Sequence, residues 1–343
     1  MYTKGPCVNP SCISVILPFR DAAATIDAAL SGLLAQADAA REVIAIDDGS
    51  TDSGALHVRA WAARDARVRL LHNHGRGLIA ALNMGLSAAT GALLARMDAD
   101  DISHPERLTR QREYLRAHAE VDVLGCQVHA FVEGGALGEG LERYVAWQNA
   151  LLTPDDHAHA RFIESPLCHP SIVVRRTLID HIGGYRELDG PEDYELFLRA
   201  VAHGARLAKL PEVLLSWRHH DNRATFRDAR YGLAAFRTVK APYLARVIAE
   251  AGRRLVIWGA GATGKRLARA LRQHGARSEL FIDIDPQKIG RTAQGAPVAS
   301  VDALDASRDL VVVAVATRGA RTLIAPQLEA RGFVEGTSAW FAS

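Results

Sequence analysis

The chain has 343 residues, 48% of them hydrophobic and 23% charged, with a formal net charge of +2. That length allows two domains, and the balance is that of a soluble chain able to bury a sizeable core. So small a net charge gives no ground for a nucleic-acid partner, and the longest apolar run, LVVVAVA at 310–316, is far below the ~20 residues of a membrane span. The cysteines Cys7, Cys12, Cys126 and Cys168 are scattered without CxxC spacing. This predicts a reducing, cytoplasmic setting and no structural zinc. The N-terminal MYTKGPCVNPSC shows no signal-peptide pattern.

CISVILPF at 12–19 is apolar and β-branched and closes on a proline, which predicts a buried strand. AATIDAALSGLLAQ at 23–36 has helical periodicity, and EVIAIDDGS at 42–50 reads as a second buried strand ending in acids and a turn. A helix from Ser53 to Arg64 follows, then a strand at 68–73, a helix at 77–90 and a fourth strand, GALLARM, at 91–97. This alternation predicts an α/β fold with a mainly parallel sheet flanked by helices. Ligands of such sheets bind at the carboxyl ends of the strands, where these acids sit.

From 126 to 165 the pattern is less regular and contains the glycine-rich EGGALGEG at 133–140. HPSIVVRRTLI at 169–179 reads as strand then helix. GPEDYELFLRAVAHG at 190–204 reads as a helix, with Pro191 near its start, acids in its first turn and Gly204 as its stop. Residues 218–254 are arginine-rich and read as largely helical. The alternation restarts with RRLVIWGAGATGKRLARALRQHG at 253–275 and continues with strands at 279–286 and 309–316. The expected division is therefore a first domain at 1–225, a basic helical linker at 226–252, and a small Rossmann-like α/β domain at 253–343.

MDADD at 97–101 crowds Asp98, Asp100 and Asp101 together. Like charges near 4 Å repel by roughly 1 kcal/mol per pair even in water. Residues i and i+2 of an extended chain point the same way, so Asp98 and Asp100 would project together and suit a hard divalent cation, Mg²⁺ or Mn²⁺. Such a cation would remove the repulsion and bridge a diphosphate. The same residues also read as a solvated turn with a helix cap. Asp47 and Asp48 end the second strand, where they could accept from a nucleobase or a ribose, or simply close an Asx turn. Glu192 and Asp193 occupy a helical first turn that the helix dipole alone would favour; the functional alternative is a general base. WRHHDNR at 217–223 joins Arg218, His219 and His220 in what reads as a loop, with metal or phosphate as its candidate ligand.

Taken in order, VILPFRD, IDDGSTD, GLIAALNMG, ARMDADDISHPERL, HPSIVVRR, IGGYRE, PEDYELFLR and WRHH resemble the family 2 glycosyltransferases of the GT-A fold, over about residues 12–225. The resemblance implies an inverting, Mg²⁺- or Mn²⁺-dependent transfer of a sugar from a nucleotide-diphosphate donor, with a UDP-sugar the first expectation. The implied acceptor is a hydroxyl of a glycan or lipid-linked glycan, in polysaccharide biosynthesis. Carried over by position, the resemblance implies that Pro18 and Phe19 flank the nucleobase and that Asp48, with Asp47, holds base or ribose. Asn83 falls on the donor side. Asp100 would ligate the metal directly, with Asp98 on the ribose or on the metal through water. Asp193 matches the catalytic base, with Glu192 as its neighbour, and Arg218 and His220 match contacts to diphosphate or metal. Many relatives carry Ala-Arg-Asn where this chain has Ala81-Leu82-Asn83. A phosphate-facing arginine is thus missing at Leu82, with Arg76 or the 218–223 cluster as the available substitutes. Arg96 has no assigned role.

Gly259, Gly261 and Gly264 form GxGxxG between a predicted strand and helix. Asp283 lies about 20 residues on, where a ribose-binding acid would sit. This reads as a scaffold or a homo-oligomer contact, with a site for NAD(P) or another nucleotide left open. The unit also resembles small nucleotide-sugar-binding domains appended to some sugar-modifying acyltransferases. Two rival functions follow: an NAD(P)-dependent oxidoreductase, and a non-catalytic nucleotide-sugar-binding regulator. The basic stretch, with Arg223, Arg227, Arg230, Arg237, Lys240 and Arg246, reads as the solvated face of a linker helix or as a peripheral contact with the anionic inner face of a membrane.

Overall fold

The structure, a computed structural model, describes residues 12–36, 40–220 and 228–343; Cys7, Arg223 and Arg227 lie outside them. Contacts divide the chain into two units. The first comprises Met1–His157, Pro166–Leu188 and Arg199–Arg227, and the second Ala158–Ser165, Asp189–Leu198 and Asp228–Ser343.

The first unit is built on an eight-stranded sheet. Its strands are β1 (Ile13–Phe19), β2 (Ala40–Asp47), β3 (Val68–His72), β4 (Leu93–Arg96), β5 (Ile102–Ser103), β6 (Val123–Val132), β7 (Val173–Arg175) and β8 (Leu207–His219), in the order β3-β2-β1-β4-β7-β6-β8-β5. β1 to β4 pair in parallel. Parallel neighbours need crossovers, supplied here by the helices Ile26–Leu34, Gly54–Arg64 and Leu78–Ala88. Every residue of β1 is buried, as a strand covered on both faces requires. Register sets Phe19, Asp47 and His72 side by side at one end. β4 stops at Arg96, opposite Ile16, so residues 98–101 leave the ladder before β1 does.

β8 departs from the sequence expectation. Residues 217–219 are strand, pairing Ala130 with Trp217, Phe131 with Arg218 and Val132 with His219. Pro211 hid the strand. Proline donates nothing to a ladder and is confined to edges and bulges, and the register with β6 shifts where Cys126 pairs with Leu210 and Gln127 with Val213. Among the described cysteines, Cys126 and Cys168 are buried and outside any disulfide.

The second unit carries a six-stranded sheet of β9 (Arg254–Trp258), β10 (Leu280–Ile282), β11 (Thr292–Ala293), β12 (Ala296–Ala299), β13 (Asp309–Val313) and β14 (Ala339–Phe341), in the order β11-β12-β10-β9-β13-β14. All pairs are parallel except β11 with β12. The stretch read as a linker is packed into this unit. Its helix Leu233–Ala251 buries Val239, Ala241, Leu244, Ala245 and Ile248. Lys240 Nζ donates to the carbonyls of Phe162 (2.6 Å), Ile163 (3.1 Å) and Ala342 (3.2 Å).

Between β9 and the helix Ala262–Gln273, the glycine turn needs two of its three glycines for packing. A Cβ on Gly264 would stand 1.8 Å from the Gly259 carbonyl oxygen, and one on Gly259 would stand 2.7 Å from that of Ala314. Gly259 also holds φ at +118°, a region that favours glycine. Gly261 faces open space. Gly264→Ala is therefore expected to lower stability by more than about 3 kcal/mol through backbone overpacking, and Gly261→Ala by no more than about 1 kcal/mol as a changed helix cap. Urea midpoints of the two variants check this.

Candidate active site

Arg96 ends β4 at 5% exposure, and its Nη1 contacts Asp98 Oδ1. Burial disfavours the Arg96 charge, but Asp98 outweighs it, with Tyr185 and Asp101 adding to the effect, so the guanidinium stays above the usual arginine range. Arg107, fully buried at the start of the next helix, donates from Nη2 to the Arg96 carbonyl at 2.8 Å and from Nε to Gln111 at 3.2 Å. Asp101 is 1% exposed, and its Oδ1 accepts the Arg218 backbone N–H at 2.9 Å. Arg218 Nε donates to the Asp100 carbonyl at 2.9 Å, its Nη1 meets Glu133, and its guanidinium lies over the Phe131 ring. His220 Nε2 stands 3.0 Å from Asp100 Oδ2. One carboxylate oxygen from each of Asp98, Asp100 and Asp101 falls within a 4.8 Å cluster. Hard oxygens beside an imidazole nitrogen suit Mg²⁺ or Mn²⁺. The parts played here by Arg96 and Arg107 were not read from the sequence; Arg96 was signalled only as a charge ending an apolar strand, and Arg107 is one of four arginines in a charged helix with nothing local to mark it.

Behind Arg96 lies a buried polar layer. His169 Nε2 and Tyr185 Oη are 2.7 Å apart. Burial, with the Arg96 charge added, holds the His169 imidazole well below its usual range, so it is neutral. Asn83 clamps the Tyr185 backbone: Nδ2 donates to its carbonyl at 2.8 Å and Oδ1 accepts its N–H at 2.9 Å. The Asn83 amide, expected on the donor side, is thus committed to the fold. Leu82, where the resemblance leads to the expectation of an arginine, is fully buried. Arg76 Nε is bonded to Asn73.

At the neighbouring strand ends, Asp47 Oδ1 accepts the Ser50 N–H at 2.9 Å, the Asx turn anticipated as one option, and its Oδ2 lies 3.2 Å from His72 Nδ1. Asp48 Oδ1 accepts from Asn73 Nδ2 at 2.7 Å and from the Gly77 N–H at 2.9 Å. Asp47 thus joins the end of β2 to the end of β3, and Asp48 ties it to the loop after β3. Pro18 is buried, and Phe19 packs in the core instead of presenting an open ring for a base.

In the second unit, Asp193 is the one position from Pro191 to Ala200 that is not buried. Its Oδ1 accepts the Tyr194 N–H at 2.7 Å. Glu192 is 2% exposed, and its Oε2 accepts from Tyr231 Oη at 2.8 Å. Asp283, expected to face a ribose, is engaged by its own chain. It accepts the N–H groups of Ala260 (2.9 Å) and Asp285 (3.0 Å) and pairs with Lys288 Nζ at 3.1 Å. Desolvation raises its pKa, but these donors prevail and hold it below the usual carboxylate range.

A family model described as glycosyl transferase family 2 matches residues 14–183, and one described as a CoA binding domain matches residues 252–332. The amylovoran biosynthesis glycosyltransferase AmsE of Erwinia amylovora is 34% identical over 194 residues, which cover 56% of this chain and 70% of that protein. The UDP-Gal:alpha-D-GlcNAc-diphosphoundecaprenol beta-1,3-galactosyltransferase of Escherichia coli is 27% identical over 226 residues, covering 65% and 78%. The crystal structure of S. aureus TarS 1-349 in complex with UDP-GlcNAc superposes with a TM-score of 0.54 at 18% identity, over 78% of this chain and 73% of that one.

The Arg96–Asp98 pair makes a stability prediction. Asp98→Ala strands a buried guanidinium and is expected to cost about 2 kcal/mol, below the ~3–5 of a fully buried pair because the Asp98 side chain is 24% exposed. Asp100→Ala loses a pairing with the exposed His220 and strands no buried charge among the described partners, and is expected to cost less than about 1 kcal/mol. Thermal or urea melts of the two variants measure the difference.

Proposed function

The chain belongs to glycosyl transferase family 2, and on that premise we propose that this nucleotide-sugar glycosyltransferase works by a metal-assisted, inverting displacement onto a hydroxyl acceptor. The observation that carries the proposal is the cluster at the end of β4, where one carboxylate oxygen from each of Asp98, Asp100 and Asp101 lies within 4.8 Å of the others and Asp100 Oδ2 stands 3.0 Å from His220 Nε2. Asp100 and His220 would hold the Mg²⁺ or Mn²⁺, with Asp98 beside them. When bound, the cation neutralises charge on the departing nucleoside diphosphate. Arg218 orders the loop by gripping Asp100 and Asp101. Asp47 and Asp48 stand at strand ends suited to the nucleoside. Asp193 takes the proton of the acceptor hydroxyl. The hydroxyl oxygen bonds to the anomeric carbon as the carbon–phosphate oxygen bond breaks on the opposite face. The diphosphate leaves with the electron pair, and configuration inverts.

The donor nucleotide is proposed to be uridine diphosphate, supported by the names of the E. coli relative and the TarS complex. A lipid-linked glycan is the proposed acceptor, again supported by the E. coli relative. No helix among the described residues is long and apolar enough to cross a membrane, so such an acceptor would be met at the bilayer surface. For the second unit, the engagement of Asp283 by Ala260, Asp285 and Lys288 weighs against a ribose contact by that carboxylate, while the match to a CoA binding domain model over residues 252–332 supports a nucleotide ligand. That engagement also weighs against the oxidoreductase reading.

Asp193→Asn is expected to keep donor binding, measured by calorimetry with Mn²⁺, and to lower transfer by about 10²- to 10⁴-fold, the usual yield of general-base catalysis. Full activity in this variant would sink the assignment. Chelation with EDTA is expected to abolish transfer and added Mn²⁺ to restore it; undiminished transfer in EDTA would remove the metal from the mechanism.

A further inference from the structure

The helix that carries Asp193 has two more acids in its first turn, and both are buried: Glu192 at 2% and Glu195 at 6% exposure. Carboxylates taken from water are costly unless hydrogen-bonded. Each of these receives a phenol from the segment after residue 228. Tyr231 Oη donates to Glu192 Oε2 at 2.8 Å, and Tyr243 Oη donates to Glu195 Oε1 at 2.6 Å. Residues three apart on a helix share a face, so the two phenols grip one face of the turn and leave Asp193, between them in sequence, partly open. Further bonds tighten the arrangement. Tyr194 Oη donates to the Arg161 carbonyl at 2.6 Å, and its ring lies 5.2 Å from that of Phe236. Tyr231 is itself set at the end of a short 3₁₀ turn, Ala229–Tyr231, capped by Asp228 accepting the Arg230 N–H at 2.9 Å. Burial pushes the Tyr231 phenol well above its usual range, and the charges of Glu192 and Asp193 push it further, so it remains a donor at any working pH.

We propose that Tyr231 and Tyr243 are positioning residues for glycosyl transfer: they seat the first turn of the helix Glu192–Ala202 so that Asp193 faces the acceptor hydroxyl, and Glu192 serves as the socket for Tyr231 and not as a group that touches substrate. The proposal rests on Asp193 as the base. It makes the segment after residue 228 part of the catalytic apparatus, although it lies beyond the residues that match family 2.

The test is kinetic, with single changes so that one anchor always remains. Tyr231→Phe and Tyr243→Phe are each expected to lower kcat about 10-fold while donor KM, and donor affinity by calorimetry with Mn²⁺, stay within twofold. Glu192→Gln keeps an oxygen for Tyr231 to donate to and is expected to retain at least a third of kcat. In an Asp193→Asn background, the Tyr231→Phe change is expected to cause no further loss. If Asp193→Asn keeps full transfer, the base reading fails and this proposal with it. If Asp193→Asn loses transfer while both tyrosine variants keep kcat within twofold, the positioning role alone is overturned. A parallel loss of donor affinity, or an equal further loss in the Asp193→Asn background, would mark general loosening of the fold and overturn it too. A Glu192→Gln variant as inactive as Asp193→Asn would make Glu192 a chemical participant and refute its role as a socket.

Discussion

Charge removed from water has to be matched at short range, and the carboxyl end of β4 is where this chain meets that demand most severely. Two unit charges 4 Å apart attract by about 4 kcal/mol at the effective dielectric near a protein surface. Arg96 and Arg107 are both buried there, with Asp98 and Asp101 beside them. The surrounding architecture follows from keeping the arginines fixed. The Arg96 N–H bonds the Ile172 carbonyl at 3.0 Å, just before β7 joins β4. Arg107 holds the Arg96 carbonyl, and Gln111, one turn on, donates to the carbonyls of Leu124 and Ser171. The helix Arg107–Ala117 is thereby bonded to β6 and to the turn before β7. Crowding of acids in MDADD is therefore largely settled by internal cations. Asp100 stands beside the His220 imidazole.

What could be read from residues alone was the part of the fold governed by solvent exclusion. β1, β2 and β4 are largely apolar, buried runs because both faces are covered, whereas β3 at the sheet edge is only partly buried, and the intervening helices show their period against them. The placing of acids at strand ends was legible for the same reason, since the ends are where the apolar runs stop. β8 was not legible. It carries Lys209, Glu212, Arg218 and His219, breaks register at Pro211, and draws its order from pairing with β6 and β5. A strand held by its neighbours leaves a weak local signal.

Site residues were harder for a different reason. A motif names a side chain but not which groups have already claimed it. Asn83 sits where the family pattern places it, yet both ends of its amide are spent on Tyr185. Asp283 lies at the end of β10 as expected, yet it closes the glycine turn by accepting the Ala260 N–H. Phe19 belongs to the core. Tyr185 for Asn83 and Ala260 for Asp283 are distant in sequence, so only the folded chain brings them near, although Asp283 also meets its neighbours Asp285 and Lys288. Asp193 shows the converse: nothing local set it apart from Glu192, and the difference between them is that one is buried under a tyrosine and the other is not.

The tyrosine anchors have a bearing on how the protein is made. Glu192 precedes Tyr231 by 39 residues, and Glu195 precedes Tyr243 by 48. On a ribosome that delivers the chain from its N-terminus, at about 5–20 residues each second, the acidic turn emerges seconds before the hydroxyls that will cover it. Until then it is an amphipathic segment with two carboxylates still in water and its apolar side unsheltered. Maturation of the enzyme thus waits on translation of its second half, and the interval is when a nascent-chain chaperone would have most to hold.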